Sequence, residues 1–320
     1  MLLCNPWSGG GKVASFGLVE RAEELGVEVV MLAEGLDLEE LTRDAVARGA
    51  DCLGMAGGDG SQALVASVAV EHGIPFVCIP AGTRNHFALD LGLDRNDPRA
   101  AMTAFHDAIE RRVDYATVSG RLFVNNVSLG IYATIVQSDD YRDAKAEVSL
   151  SMARELLGRD AEPFDLQYST PDGQEIEGAF LIMVSNNPYV LDANPEVAQR
   201  NMVDGGRLGV FAISTRTGRQ AARLMTLSAI GLRDVSKDWW EFTADQFEVR
   251  SKSGSAYLGV DGEALEAATP LEFSIHPGGL LMLVPKGNRH VAEQHRARDR
   301  TVQKVLDVAL GREPTPSDSR

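Results

Sequence analysis

A short apolar segment, Cys52-Leu53-Gly54-Met55-Ala56, runs directly into Gly57-Gly58-Asp59-Gly60-Ser61 and then into the helix-forming stretch from Gln62 to Glu71. A strand, a glycine turn and a helix start in that order commit this part of the chain to an α/β unit. Glycines allow positive φ and close backbone approach, and the free N–H groups at a helix start favour an anion. An acid inside such a loop repels a bare phosphate, so Asp59 points to a nucleotide accompanied by Mg²⁺. An ordinary tight turn is the alternative for a glycine cluster standing alone.

Two neighbours of the same build weigh against that alternative. Leu2-Leu3-Cys4 leads into Asn5-Pro6-Trp7-Ser8-Gly9-Gly10-Gly11-Lys12 and a helical pattern from Val13 to Leu25. Ile74-Pro75-Phe76-Val77-Cys78-Ile79 leads into Pro80-Ala81-Gly82-Thr83-Arg84-Asn85-His86-Phe87-Ala88. Three strand-end loops rich in glycine, hydroxyl and amide groups gather at one edge of a parallel sheet, where α/β folds bind ligands. A lysine at a helix start opposes the helix dipole, so Lys12 reads as a phosphate ligand or one member of a buried charge pair, with a solvated lysine as the alternative. Its spacing lacks the ending of a Walker A loop, and the first strand-turn-helix lacks GxGxxG, so a triphosphate donor is expected rather than a redox dinucleotide.

Strands and helices alternate to about residue 110: Leu2–Cys4, Val13–Leu25, Val27–Leu32, Leu38–Arg48, Cys52–Ala56, Gln62–Glu71, Ile74–Ile79, Phe87 onward and Pro98–Glu110. This predicts a parallel α/β domain with right-handed crossovers, its second helix opened by an Asp37 capping box. Near Asp114 the texture changes to strands separated by turn signals such as Pro171-Asp172-Gly173 and Pro277-Gly278-Gly279, which predicts an antiparallel β domain. Two helices, about Asp143–Leu157 and Gln220–Gly231, interrupt it. Expected strands there are Val113–Val118, Leu122–Ser128, Phe164–Ser169, Ala179–Ser185, Leu208–Ile213, Phe247–Ser251, Ala256–Val260, Leu271–Ile275 and Leu280–Val284. A charged amphipathic helix is expected over Val291–Leu310, followed by a polar, disordered tail. That helix is locally basic, so a membrane-surface role stands beside docking on the core.

Composition removes several function classes. The formal net charge of -15 argues against nucleic acid as a partner and against adsorption to anionic lipid by net charge. No apolar run approaches the roughly 20 residues that span a bilayer, so a cytoplasmic protein is expected, with peripheral contact at a membrane left open. Cys4, Cys52 and Cys78 fit neither a zinc site nor a redox pair and read as reduced thiols in strands. In Trp239-Trp240, one indole is expected in the core and its neighbour exposed. His86 reads as a packing or hydrogen-bonding histidine, or as a group that polarises a phosphate.

The motifs at 5–12, 57–61 and 80–88, together with Asp261-Gly262-Glu263, resemble the motif series of the diacylglycerol kinase catalytic-domain family. That family includes bacterial lipid kinases and sphingosine kinases and is related to NAD kinases. The resemblance runs from Asn5 to about Pro285. It implies α/β plus β architecture: an NAD kinase-like nucleotide-binding domain over 1–112, an antiparallel β-sandwich acceptor domain over 113–286, and a segment 287–320 whose helix returns to the first domain before a disordered tail. A lipid-type acceptor would enter the cleft between the domains.

The same resemblance implies an ATP-dependent kinase acting on a hydroxyl of a diacylglycerol-like or long-chain lipid. Asn5, Pro6, Ser8, Gly9, Gly10, Lys12, Gly57, Gly58, Gly60 and Ser61 would hold the ATP phosphates, with Thr83 and Asn85 completing the pocket. Glu263 would be the general base with Asp261 beside it in the charge network, and Asp59 would organise Mg²⁺ or the γ-phosphate; Asp59 as the base stays open. Asp114 matches an acid of that network, with a surface aspartate as the alternative. Asp204 falls where the family often binds a structural Mg²⁺ through Asp-Asp-Gly, but Gly205 replaces the second acid. Ser61 keeps the hydroxyl of the usual threonine, Arg84 replaces a small residue, and Ala33 replaces a hydroxyl residue that often contacts the nucleotide. A kinase of a soluble hydroxyl compound and an inactive lipid- or nucleotide-binding protein remain alternatives. Transient membrane-surface contact is expected, and a homodimer is open.

Overall fold

Four short parallel strands form one half of the first sheet: β1 (Leu2–Cys4), β2 (Val29–Met31), β3 (Leu53–Gly57) and β4 (Phe76–Pro80). The computed structural model describes residues 1–131, 133–134, 161–190, 199–200, 202–229, 238–286 and 288. Strands β3 and β4 are buried along their whole length, as their unbroken apolar runs require of a sheet covered on both faces. The order is β2-β1-β3-β4, so the direction of winding reverses beside β1 and the loops after β1 and β3 flank the switch point.

The helices between these strands are α1 (Lys12–Ser15), α2 (Leu18–Glu24), α3 (Leu38–Ala47), α4 (Asp59–His72), α5 (His86–Asp90) and α6 (Pro98–Ala101). Asp37 caps α3 as expected, its carboxylate accepting from the Glu39 and Glu40 N–H groups at 2.7 and 3.2 Å. The single helix expected over Val13–Leu25 is broken, because Gly17 sits at φ 57° between α1 and α2. The helix expected over Pro98–Glu110 stops early, since residues from Ala108 are drawn into a strand.

The remaining strands, in chain order, are β5 (Ala108–Val118), β6 (Arg121–Phe123), β7 (Asn126–Gly130), β8 (Phe164–Ser169), β9 (Glu175–Ala179), β10 (Leu181–Asn186), β11 (Tyr189–Val190), β12 (Gln199–Arg200), β13 (Leu208–Ile213), β14 (Trp239–Ala244), β15 (Gln246–Val249), β16 (Ser255–Val260), β17 (Glu263–Ala268) and β18 (Leu271–Pro285). Strands β14-β13-β10-β7-β16-β17 form an antiparallel sheet. Its core is closed from the other side by the antiparallel end of the first sheet, where β5, β6 and β15 join β18. The chain is thus an α/β unit followed by an antiparallel β unit.

The junction between the units is continuous strand. β5 runs through residues 112 and 113, and β18 pairs antiparallel with it over nearly its whole length while touching β4 at Met282↔Phe76. Val113, Leu280, Met282 and Val284 pack in the first core, whereas Ala116, Val118, Leu271 and Phe273 pack in the second. Each long strand therefore contributes one half to each core. Where a turn is expected at Pro277-Gly278-Gly279, the structure has a bulge that shifts register between His276 and Leu280 without ending β18. Gly279 is required there, because a Cβ would lie 2.4 Å from the Tyr115 ring.

Trp239 and Trp240 point to opposite sides of β14 as expected, but neither is fully exposed. Trp239 packs 4.3 Å from the Phe211 ring and Trp240 against the second core, because apolar clusters cover both faces of the sheet at this edge. Cys4 and Cys78 are buried and Cys52 half-buried, all free, and burial pushes the Cys4 and Cys52 thiols up to about 12 and 11. Helix Gly218–Ala229 matches the second expected helix; the first, and the C-terminal helix, lie outside the described residues.

Candidate active site

The three glycine loops meet backbone to backbone. Gly9, at φ 57°, lies so close to the loop after β4 that a Cβ would come within 2.4 Å of the Ala81 carbonyl oxygen. A Cβ on Gly82 would lie 2.4 Å from the Cα of Gly58, which caps α4. Asn5 ties the first loop to the second by donating its N–H to the Ala56 carbonyl at 3.0 Å, while its side chain accepts from the Trp7 N–H at 3.1 Å. Gly10 and Gly11 have positive φ and open space on the side where a Cβ would stand. Pro6, Ser8 and Ser61 are half-buried around this junction, and a Cβ on Gly57 would meet the Ser61 side chain at 3.2 Å.

Two predicted ligands have structural duties of their own. Asn85 is buried at φ 55°, its amide oxygen accepting the Gly82 N–H and its amide nitrogen donating to the Gly82 carbonyl, both at 2.8 Å. It shapes the third loop, leaving Thr83 exposed at the tip. Lys12 opens α1 and donates to the Arg95 carbonyl at 3.3 Å.

Asp59 joins the second loop to the third. It begins α4, and its carboxylate accepts the His86 and Phe87 N–H groups at 3.1 and 3.0 Å, capping α5. The ring of His86 is not part of that contact; its backbone is.

The other two acids arrive from the second unit on a hairpin. Asp261 and Gly262, at φ 47° and 87°, form the two-residue turn that pairs Val260 with Glu263 across β16 and β17. The Asp261 carboxylate turns inward and accepts N–H groups from Val124, Asn125 and Asn126 at 2.8, 2.8 and 3.1 Å. Burial raises its pKa to about 7, outweighing the lowering by these donors, and the negative charge of Asp59 adds to the rise. Glu263 is exposed, accepts from Arg121 at 3.0 Å and lies against Gly60, where a Cβ would stand 2.4 Å from its Oε1. Gly60, one residue past Asp59, is therefore the point where the two units' acids converge. A cleft of about 650 Å³ opens beside it, with Gly60, Ala63 and Leu64 of α4 on one wall and Asp261, Glu263 and Arg121 on the other.

Asp114 is buried, not a surface residue. It accepts the Gly206 N–H at 2.6 Å, the Asn187 amide at 3.1 Å and the Gly278 N–H at 2.7 Å, holding the loop after Asp204 and the β18 bulge together. Asp204 itself is exposed, and its charge acts on Arg111. A Cβ on Gly205 would lie 2.7 Å from the Asn187 side-chain oxygen, so the missing second acid has no room there. Among the described residues no group of three or more His, Cys, Asp or Glu side chains is placed to hold a metal. The Asp204-Gly205-Gly206 turn offers a single carboxylate.

One feature has no counterpart among the expected residues. Arg200, completely buried on the short strand β12, donates through Nε to Asp90 of α5 at 2.7 Å. Its other nitrogens reach the carbonyls of Val124 and Asn186 at 2.5 and 2.7 Å and the Asn125 side chain at 3.1 Å. Asp90 and Arg200 are 110 residues apart and belong to no motif, so only the rarity of buried charge hints at them.

Residues 1–118 match the family model for the diacylglycerol kinase catalytic domain. Over 282 residues the chain is 28% identical to a Pseudomonas aeruginosa protein named "Probable lipid kinase YegS-like", covering 87% of this chain and 90% of that one. It is 35% identical over 120 residues to a Mycobacterium tuberculosis diacylglycerol kinase, covering 36% of this chain and 39% of that one. A solved structure of a diacylglycerol kinase from Bacillus anthracis superposes with a TM-score of 0.61 at 22% identity, covering 90% of this chain and 97% of the other, which supports the same fold. Residues 1–118 are thus similar to the diacylglycerol kinase catalytic domain.

Proposed function

We propose that the protein is an ATP-dependent, Mg²⁺-requiring kinase that transfers the γ-phosphate to a hydroxyl of a diacylglycerol-like or long-chain lipid. The observation that carries this reading is the placement of Glu263 against Gly60, which sets an exposed carboxylate beside both the glycine loops and a cleft. The relatives' names supply the lipid and kinase classes. The open glycines Gly10 and Gly11, with the N–H groups at the start of α4, suit phosphate oxygens, and Lys12, which donates to the Arg95 carbonyl, adds a positive charge next to the first loop. Asp59 is the carboxylate that would hold Mg²⁺, which would supply positive charge against the phosphates when bound.

In this reading Glu263 accepts the hydroxyl proton as the acceptor oxygen bonds to the γ-phosphorus and the bond to the leaving ADP breaks. Glu263 suits that task better than Asp59, because both Asp59 oxygens already accept backbone N–H groups whereas Glu263 has one exposed partner, Arg121. Leu64 and Leu122 give the cleft an apolar wall for the portion of a lipid next to its hydroxyl. Among the described residues no helix is long and apolar enough to cross a membrane, so such a lipid would be met at a surface.

The test is transfer of labelled γ-phosphate from ATP with Mg²⁺ to lipid extracts and soluble hydroxyl compounds. Glu263→Gln is expected to lower kcat by about 10²–10⁴-fold while keeping the fold and the thermal shift induced by ATP. A labelled lipid that disappears with Glu263→Gln supports the proposal. Labelling of soluble compounds alone would keep the transfer and discard the lipid. No labelling, with ATP still bound, would make the protein a binder.

A further inference from the structure

The peptide unit between Val124 and Asn125 is gripped at both ends by charge. Its carbonyl oxygen accepts from the Arg200 guanidinium at 2.5 Å, and its N–H donates to the Asp261 carboxylate at 2.8 Å. A trans peptide points these two groups in opposite directions, so a cation and an anion lie along one peptide dipole and fix its orientation. Arg200 strengthens the hold through Asn125, whose side chain accepts from it and whose N–H is the same Asp261 donor. The guanidinium fork suits several oxygens at fixed angles, which a lysine cannot reproduce.

On its other side Arg200 is anchored to Asp90, the last residue of α5, through both its side chain and its backbone N–H. The first turn of that same five-residue helix is held by Asp59. A continuous set of contacts thus runs from Asp59 through α5 to Asp90, across to Arg200, through the 124–125 peptide to Asp261, and over the two-residue turn to Glu263.

We propose that Arg200, anchored by Asp90, is a positioning residue: it fixes the Val124–Asn126 amide cradle that holds Asp261, and through that turn it sets Glu263 against the Asp59 loop. The catalytic part rests on the kinase reading above; the cradle itself does not. The test uses the full chain as wild type, Arg200→Lys and Asn125→Ala, with hydrogen exchange at the 124–126 amides and γ-phosphate transfer as separate readouts. Both variants are expected to speed exchange at those amides by about tenfold, the equivalent of a lost hydrogen bond, with α4 amides unchanged. For Arg200→Lys, kcat should fall about 10²-fold with KM for ATP within about 3-fold of wild type.

Unchanged exchange at 124–126 would overturn the proposal, as would an activity loss that only follows the folded fraction. Local acceleration in a protein that transfers phosphate to nothing would retain the cradle and discard the kinase reading. Should Arg200→Lys fail to fold, Asn125→Ala carries the comparison, because it leaves the Arg200–Asp90 pair in place.

Discussion

Asp59 and Asp261 are both aspartates beside a glycine, and both accept consecutive backbone N–H groups, yet the protein treats them differently. Asp59, half-buried at the junction of the second and third loops, stands at the start of α4 with two donors. Asp261, half-buried at the cleft wall, has three donors and a desolvated carboxyl whose pKa is raised to about 7. Hydrogen bonding to a carboxylate lowers its pKa and removal from water raises it; at Asp261 the second effect wins, with Asp59 adding repulsion. The pattern of donors alone therefore does not tell which acid is poised to change charge near neutral pH.

The largest expected effect tests that contrast through pH. Asp261 keeps its proton in the folded chain up to about pH 7, whereas the unfolded chain releases it near 3.8. The folded state binds more protons between those values, so this group's contribution to stability is fully present below pH 3.8 and is lost as pH rises through 7, by on the order of 4 kcal/mol. Urea titrations across that range should show this part of the slope absent in Asp261→Asn. An equal slope in both proteins would break the comparison.

Next in size is Gly60→Ala, which sharpens the meeting point of the two regions. Its Cβ would take the place of the Glu263 carboxylate, so turnover should fall about 10²-fold. Alanine is also the better helix former, so thermal stability should hold or rise by up to about 1 kcal/mol. Loss of activity together with loss of stability would mean that Gly60 serves the fold and not the approach of Glu263. The smallest effect is on Asp59 as a cap: Asp59→Ala should cost about 1 kcal/mol in denaturant stability through α5. A cost several times larger would place Asp59 in the fold's core rather than at its functional edge.

The first unit was readable because its signals are local. Apolar runs, glycines and a capping aspartate lie within a few residues of what they shape, and the expected gathering of three loops appears as direct backbone contact at Gly9, Gly58 and Gly82. The second unit was less so. Glu263–Ala268, absent from the expected strands, is rich in helix formers yet forms β17, because the Asp261-Gly262 turn folds it back onto β16 and pairing overrides propensity. Asp114 looks like any surface acid until the loops carrying Gly206 and Gly278 close over it.

From the sequence alone came the order of elements in the first unit, the loops suited to phosphate, and Asp59 as a candidate acid, since each depends on residue type and near-neighbour spacing; Asp261 and Glu263 entered through the resemblance of their motif to a family. Tertiary structure decided which carboxyl has its pKa raised by desolvation, that β5 and β18 serve two cores, and that Arg200 joins Asp90 to the 124–125 peptide. Those outcomes depend on desolvation and on contacts between residues far apart in the chain, and neither is written in any local pattern.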